Sequence, residues 1–195
     1  NYFSKAFKEG KTNNGYITIN GSLSSYPFYD DYSGISFAVF PIENLNMDYK
    51  TNWIPFKNIN GKAYFNKRSA FFISENFKVL ETNVRNPSLH IKDVKNAELL
   101  INGNLDGPLK DLITYSNKAK LSNINNKIIE KISGKASTDF DIILAFNGNK
   151  NFYESNINLI DINYDYNKSN KISNLNGKIK FKDNNFYTEK NESLK

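Results

Sequence analysis

The chain has no cysteine, so it contains neither a disulfide framework nor a thiolate metal site, and its redox compartment stays open. It has a single histidine, His90, and without a second histidine or any thiol a zinc site finds no ligand set. No stretch reaches the roughly 18 to 20 consecutive apolar residues of a membrane-spanning helix. Hydrophobic residues make up 39% of the chain, little for a compact globule. The serines sit in no Gly-x-Ser-x-Gly elbow. Gly103-Asn104-Leu105-Asp106-Gly107-Pro108 lacks the Lys-Ser/Thr and the glycine spacing of a phosphate loop, and reads as a strand-to-helix turn. The chain opens at Asn1 with no initiator methionine, signal peptide or lipidation motif, and is expected to be an excerpt from a longer protein.

Aromatic residues, in contrast, are abundant at 14%, with 12 Tyr and 15 Phe. Disordered chains lack them, whereas pleated, half-buried surfaces favour them. The formal charge is +6, but the lysines are scattered between apolar positions instead of gathered on one face, so they read as solvation. At 195 residues the chain suits one domain or two small units sharing a core.

Two phrases recur. Leu45-Asn46-Met47-Asp48-Tyr49 followed by Asn58-Ile59-Asn60-Gly61-Lys62 is echoed by Ile162-Asn163-Tyr164-Asp165-Tyr166 followed by Asn174-Leu175-Asn176-Gly177-Lys178. A shorter pair is Ile19-Asn20-Gly21-Ser22-Leu23 and Ile101-Asn102-Gly103-Asn104-Leu105. Reuse of a strand-rich unit builds arrays with long continuous surfaces, which suit binding or transport before catalysis. Asparagine is frequent throughout and receives little functional weight.

Tyr2, Phe3, Ala6 and Phe7 fall at helical spacing before Gly10, predicting a short amphipathic helix over 1–10. From there the period becomes two. Ile17 and Ile19, Ile35, Phe37 and Val39, Leu45 and Met47, Ile59, Ala63 and Phe65, Leu89 and Ile91, and Leu99 and Ile101 each alternate with other residues, as strands with one apolar face do. Pro108 followed by Leu109, Leu112 and Ile113, then Ile124 to Ile132 before Gly134, predict a helical insertion over 107–133. Alternation resumes with Phe140, Ile142 and Leu144, and a parity change after Leu159 predicts a bulge near Asp161. The expected organisation is a first β unit over 11–106, the insertion, and a second, incomplete unit over 134–195.

So few helices cannot cover so many strands. Either the sheet closes on itself as a β-sandwich, or it curls into an open trough whose apolar interior receives a ligand, since each buried Val, Leu, Ile or Phe is worth roughly 1.5 to 3 kcal/mol. Catalytic candidates are weak. Asp30-Asp31 imitate a carboxylate pair, yet nothing around them predicts the burial that tunes an acid or base. Asp139 and Asp141 share the polar face of one strand and lack converging oxygens for calcium. Tyr64-Phe65-Asn66-Lys67-Arg68 and Phe181-Lys182 interleave rings with cations as nucleic-acid binders do, but also as strand ends do. The chain is therefore expected to be no enzyme, to carry no metal or cofactor, and to bind no nucleic acid.

Several elements in order resemble one family. They are Tyr2-Phe3, Ala6-Phe7 and Gly10; the strand to Gly21; Tyr26-Pro27-Phe28; Gly34 followed by Phe37 and Pro41; Leu45 to Tyr49; and Trp53-Ile54-Pro55 with Ile59. Further on come His90-Ile91-Lys92-Asp93, and Gly103 through Gly107-Pro108 to Asp111-Leu112. This order is similar to that of the AsmA-like and TamB-like envelope bridge proteins of Gram-negative bacteria, closest to the YhdP type, over roughly residues 2 to 146. The resemblance implies a mainly β fold, a long curved antiparallel sheet shaped as a groove or taco, with two short helical stretches. It implies a periplasmic segment of an inner-membrane-anchored protein, conducting phospholipid between inner and outer membranes, with acyl chains and neighbouring repeats as partners. The groove candidates are Ile17, Ile19, Phe37, Val39, Leu45, Met47, Ile59, Phe65, Leu99, Ile101, Ile142 and Leu144. The alternative is a non-enzymatic β-sandwich module that binds or scaffolds at the envelope or cell surface.

Overall fold

The computed structural model describes residues 7–30, 32–48, 53–96, 98–146, 148–167, 170–183 and 185–188. They form one antiparallel sheet of twelve strands. In chain order these are β1 (Phe7–Lys11), β2 (Tyr16–Gly21), β3 (Gly34–Met47), β4 (Phe56–Asn66), β5 (Ser69–Ser74), β6 (Phe77–Val79), β7 (Thr82–Ile91), β8 (Glu98–Pro108), β9 (Ile132–Ala145), β10 (Phe152–Asp165), β11 (Lys171–Lys182) and β12 (Asn185–Thr188). The spatial order is β1-β3-β4-β5-β7-β8-β9-β10-β11-β12, with β2 beside β1 on the edge of β3, and β6 beside β5 on β7. Helices α1 (Leu109–Lys118) and α2 (Asn126–Lys131) lie between β8 and β9, inside the expected insertion. The described strands belong to a single sheet, so the chain builds the open form and not a sandwich.

The helix expected over 1–10 is corrected where the structure describes it: Phe7–Lys11 is a strand, and residues 1–6 lie outside the described residues. β2 covers the edge of β3 only as far as Val39, and β1 pairs with the remainder at Glu43, Asn46 and Met47. Asn46 also donates from its amide to Glu9 at 2.7 Å. A helix of so few residues cannot offset its own nucleation, whereas a vacant strand edge supplies ready partners. The proposed unit borders leave no gap in the ladder, because β8 and β9 pair without interruption from Glu98 with Ala145 to Pro108 with Lys135.

The main echo in the sequence encodes a pair of opposed bulges. Register shifts flank Leu45 on β3 and Ile162 on β10, and four residues there have positive φ: Asn44 at 52°, Asn58 at 55°, Asp161 at 51° and Asn174 at 54°. Asn and Asp tolerate that conformation best after glycine. Each bulged amide is satisfied by an asparagine across the ladder. The Asn44 N–H donates to Asn60 Oδ1 at 2.9 Å and the Asn58 N–H to Asn46 Oδ1 at 3.0 Å. In the second copy the Asp161 N–H donates to Asn176 Oδ1 at 3.0 Å and the Asn174 N–H to Asn163 Oδ1 at 3.1 Å. The bulge expected near Asp161 is thus at Asp161 itself. Between each pair of bulges one apolar couple points inward, Leu45 with Ile59 and Ile162 with Leu175. The shorter echo has no such equivalence: Ile19-Asn20-Gly21 ends β2, while Ile101 to Leu105 lies within β8.

Bulges bend strands, and the sheet is curved. Helix α1 lies against the inner face. Leu109 forms a buried cluster with Ala136 of β9 and Ile162 of β10, joined by Leu112, Ile113, Leu159 and Leu175. Six residues further along α1, Tyr115 stacks on Phe56 of β4, ring centroids 6.4 Å apart and planes 7° apart. In a flat sheet β4 and β10 would be five spacings apart, about 24 Å. The rise from Leu109 to Tyr115 is about 9 Å, and the side-chain contacts at its two ends supply the rest, so α1 bridges the inner face from β9 and β10 to β4. The Asp111 carboxylate anchors α1 from its first turn by accepting the Glu81 N–H at 2.9 Å.

Asn60→Ala and Asn176→Ala each orphan a bulged amide. Each should cost about 1 to 2 kcal/mol, and the double variant should show the sum because the two sites lie on well-separated strands. Denaturant melts of the three variants read this directly; an unchanged midpoint for both single variants would refute the role given to the amides.

Candidate functional site

Register fixes which side chains share a face. On the inner face Phe40, Ala63, Phe72, Leu89, Ile101, Ile142 and Tyr153 are successive cross-strand partners from β3 to β10. This row contains no polar residue except for the Tyr153 hydroxyl. Beside it, Ala38, Phe65, Ala70 and Ile91 form a second row, continued by the pair Leu99 and Leu144. Six spacings give the first row a length of about 29 Å.

Ten of the twelve groove candidates lie on this inner face: Ile17, Ile19, Leu45, Met47, Ile59, Phe65, Leu99, Ile101, Ile142 and Leu144. Phe37 and Val39 lie on the other. Phe37 pairs with Thr18 and Asn66, and Val39 with Tyr16 and Tyr64, while the inward residues of that stretch are Ser36, Ala38, Phe40 and Ile42. Both parities of Ile35 to Ile42 are largely apolar, so alternation alone had no means of choosing. Phe72 was hidden in the same way between Phe71 and Ile73. The ten are not equally wet. Ile59 is 2% exposed and Leu45 is buried, both in the zone bounded by bulges, whereas Ile17 is 66% exposed and Phe65 46%. The inner face is therefore dry near the bulges and α1 and open along the opposite lip, where the hairpin loops lie.

The outer face is polar but has one apolar row, which alternation does not reveal. Val39, Tyr64, Phe71, His90, Leu100, Ile143 and Phe152 are successive partners across β3 to β10. His90 is part of it, with its ring 5.4 Å from that of Phe71 at 79° and Nε2 3.4 Å from Ser69 Oγ. Among the described residues no group of three or more His, Cys, Asp or Glu converges as a metal site would. Asp139 and Asp141 lie on this outer face, opposite Asn104 and Asn102. Glu154 is held below its ordinary pKa, first by its hydrogen bond to Lys180 and then by the charges of Lys180 and Lys182.

The Asp30 carboxylate closes a turn, accepting the Ser33 N–H at 2.7 Å and the Tyr32 N–H at 3.0 Å. Asp31 lies outside the described residues. No helix among the described residues is long and apolar enough to cross a membrane.

A family model described as YhdP protein matches residues 1–191. The chain belongs to the YhdP family. No curated protein and no solved structure matches it. The YhdP assignment agrees with the sheet in the features that the resemblance implied: mainly antiparallel β, curved, open, with two short helices. It places the chain in a family of bridge-like envelope proteins associated with lipid transport.

Two measurements test this geometry. Ile59→Ala should destabilise by about 2 to 5 kcal/mol and Ile17→Ala by less than about 0.5 kcal/mol, because only the first empties a packed site; similar losses in chemical denaturation would contradict the dry-to-open gradient. The amide hydrogen bonds from Ser33 and Tyr32 favour the charged form of Asp30, so its carboxyl should titrate below the ordinary value of 3.8. The turn's contribution is then complete above that ordinary value and is lost as pH falls through the lower folded one. An NMR titration of Asp30 with a midpoint at or above the ordinary value would refute this.

Proposed function

We propose that this chain is a segment of a bridge that conducts phospholipid between the inner and outer membranes of a Gram-negative envelope, with acyl chains lying on the inner face and head groups at the wet lip. One observation carries the reading: an apolar row continuous across seven strands, with no second sheet above it among the described residues. Shielding a chain recovers about 0.8 kcal/mol per methylene, so a trough open on one side still lowers the cost of transfer. No reaction is required at any point, and no residue is given a catalytic role. The segment is placed in the periplasm, in a protein anchored in the inner membrane by parts outside it. Neighbouring repeats of the same protein are the proposed partners of its edge strands. Helices α1 and α2 narrow the trough on the side opposite the open lip, and chains would pass beside them.

Adjacent residues on one strand provide a test with matched hydrophobicity. A photo-crosslinking residue at Ile101 or Ile142 should capture phospholipid in the full-length protein, whereas one at Leu100 or Ile143, on the outer face, should capture several-fold less. Equal labelling of the two pairs, or none at either, would sink the conduit.

A further inference from the structure

The open lip is not uniform, and one part of it gathers cations and rings from three separate hairpins. The loop 22–33 folds over the inner face. Phe28 is fully buried, seated on Gly21 and Gly34, where a Cβ would come within 2.8 and 2.7 Å of its ring. Ser36 Oγ, also on the inner face, donates to the Pro27 carbonyl at 3.1 Å. This seat aims Tyr29 at the neighbouring hairpins. The Arg68 guanidinium carbon lies 5.6 Å from the Tyr29 ring centroid and Lys95 Nζ lies 5.4 Å from it. Arg68 is ion-paired with Asp93, its carbonyl accepts the Val94 N–H at 2.9 Å, and Lys67 Nζ donates to the Asp30 carbonyl at 3.0 Å.

In sequence these loops carry the cations Lys67, Arg68, Lys92 and Lys95 and the carboxylates Asp30, Asp31 and Asp93. Two of the three carboxylates are already engaged, Asp93 by Arg68 and Asp30 by the Tyr32 and Ser33 amides. Lys92 and Lys95 are exposed. The second apolar row lies immediately inside: Phe65 precedes Arg68 by three residues, and Ala70, two residues after it, joins Phe65 and Ile91 in register. Two to three residues of extended strand span about 7 to 10 Å, so a cationic rim and an apolar floor lie within one amphiphile's reach.

We infer that the lip formed by Tyr29, Arg68 and Lys95 seats the phosphodiester head group of a phospholipid whose acyl chains lie on the row Phe65, Ala70 and Ile91. The inference rests on the conduit reading and adds to it where, and through which group, the cargo is held. Arginine presents several donors in a planar fork, and Asp93 uses only part of it, so a phosphate oxygen finds donors there that a neutral lipid does not use. Tyr29 holds the two cations over the rim through its ring face and offers an amphipathic surface at the level where chain meets head group. The ligand class is an anionic glycerophospholipid. Diacylglycerol, with the same tails and no phosphate, is the discriminating analogue.

The test uses the full-length protein with a photo-crosslinking residue at Phe65, offered phosphatidylglycerol or diacylglycerol of the same acyl chains in vesicles. The wild type should label phosphatidylglycerol preferentially. Lys95→Gln should lower that labelling about two-fold, the scale of one exposed ionic contact, and leave diacylglycerol labelling unchanged. Lys135→Gln, an equal charge loss on the outer face, should change neither. Undiminished phosphatidylglycerol labelling in the lip variant overturns the head-group seat and leaves the conduit standing, and so does an equal fall in the outer-face variant. Absence of labelling by either lipid, at Phe65 and at Ile101 alike, removes the conduit and this inference with it. Millimolar glycerol phosphate should not compete; if it abolishes the preference, the site takes soluble phosphate esters and not lipid.

Discussion

A single antiparallel sheet with one apolar face has to dispose of that face, and among the described residues no second sheet does so. Helix α1 covers the zone around Ala136, Ile162 and Leu175, and the loop 22–33 covers another part through Phe28. Between these covers the rows through Ile101, Ile142, Phe65 and Leu144 remain on an open surface. Curvature lessens the exposure by turning the walls towards each other. The proposed conduit depends on the share of the inner face that packing leaves uncovered.

The curvature depends on asparagine. A bulge places one residue at positive φ and strands its amide, and each of the four central bulges is resolved by an asparagine carbonyl oxygen reaching across the ladder. Asparagine is suited to both parts of the arrangement, since it tolerates the left-handed conformation and its short side chain accepts from a neighbouring backbone. A fifth case, the Asn86 N–H donating to Asn76 Oδ1 at 3.2 Å, occurs where β7 shifts register against β8. The abundance of asparagine, given little weight from composition, thus has a structural purpose at the positions where the sheet bends.

The outer face shows how a sheet without a second layer keeps its strands together. The row from Val39 to Phe152 places rings and aliphatic groups directly opposite one another, and cross-strand pairs of this kind contribute roughly 0.2 to 1 kcal/mol each. Polar pairs surround it, including Ser88 Oγ donating to Asn102 Oδ1 at 2.7 Å and Glu154 with Lys180. The lip with its cations and the outer face with its ion pairs are electrostatically distinct. On the outer face Lys180 and Lys182 pair with Glu154 and Arg85 with Asp106, whereas Lys95 at the lip is exposed and meets the Tyr29 ring.

Period-two alternation, the helical spacing after Pro108 and the main echo were enough to identify strands, the helical insertion, the bulge at Asp161 and an apolar face, because these depend on local sequence and on a pattern that strands repeat. Ten groove candidates fell on one face for the same reason. What alternation could not decide was the parity of a strand apolar on both sides, so Phe37 and Val39 were assigned inward although Ser36, Ala38 and Phe40 are the residues that point there. Nor could it decide the state of Phe7–Lys11, whose strand exists because β3 leaves an edge vacant. The meeting of Tyr29, Arg68 and Lys95 was equally hidden, since it joins three hairpins that no sequence spacing relates. The sequence by itself determined that this protein would be a repeated, bulged, amphipathic sheet. Only tertiary structure decided which side chains face each other across it, because register and curvature are set by pairing between segments far apart in the chain.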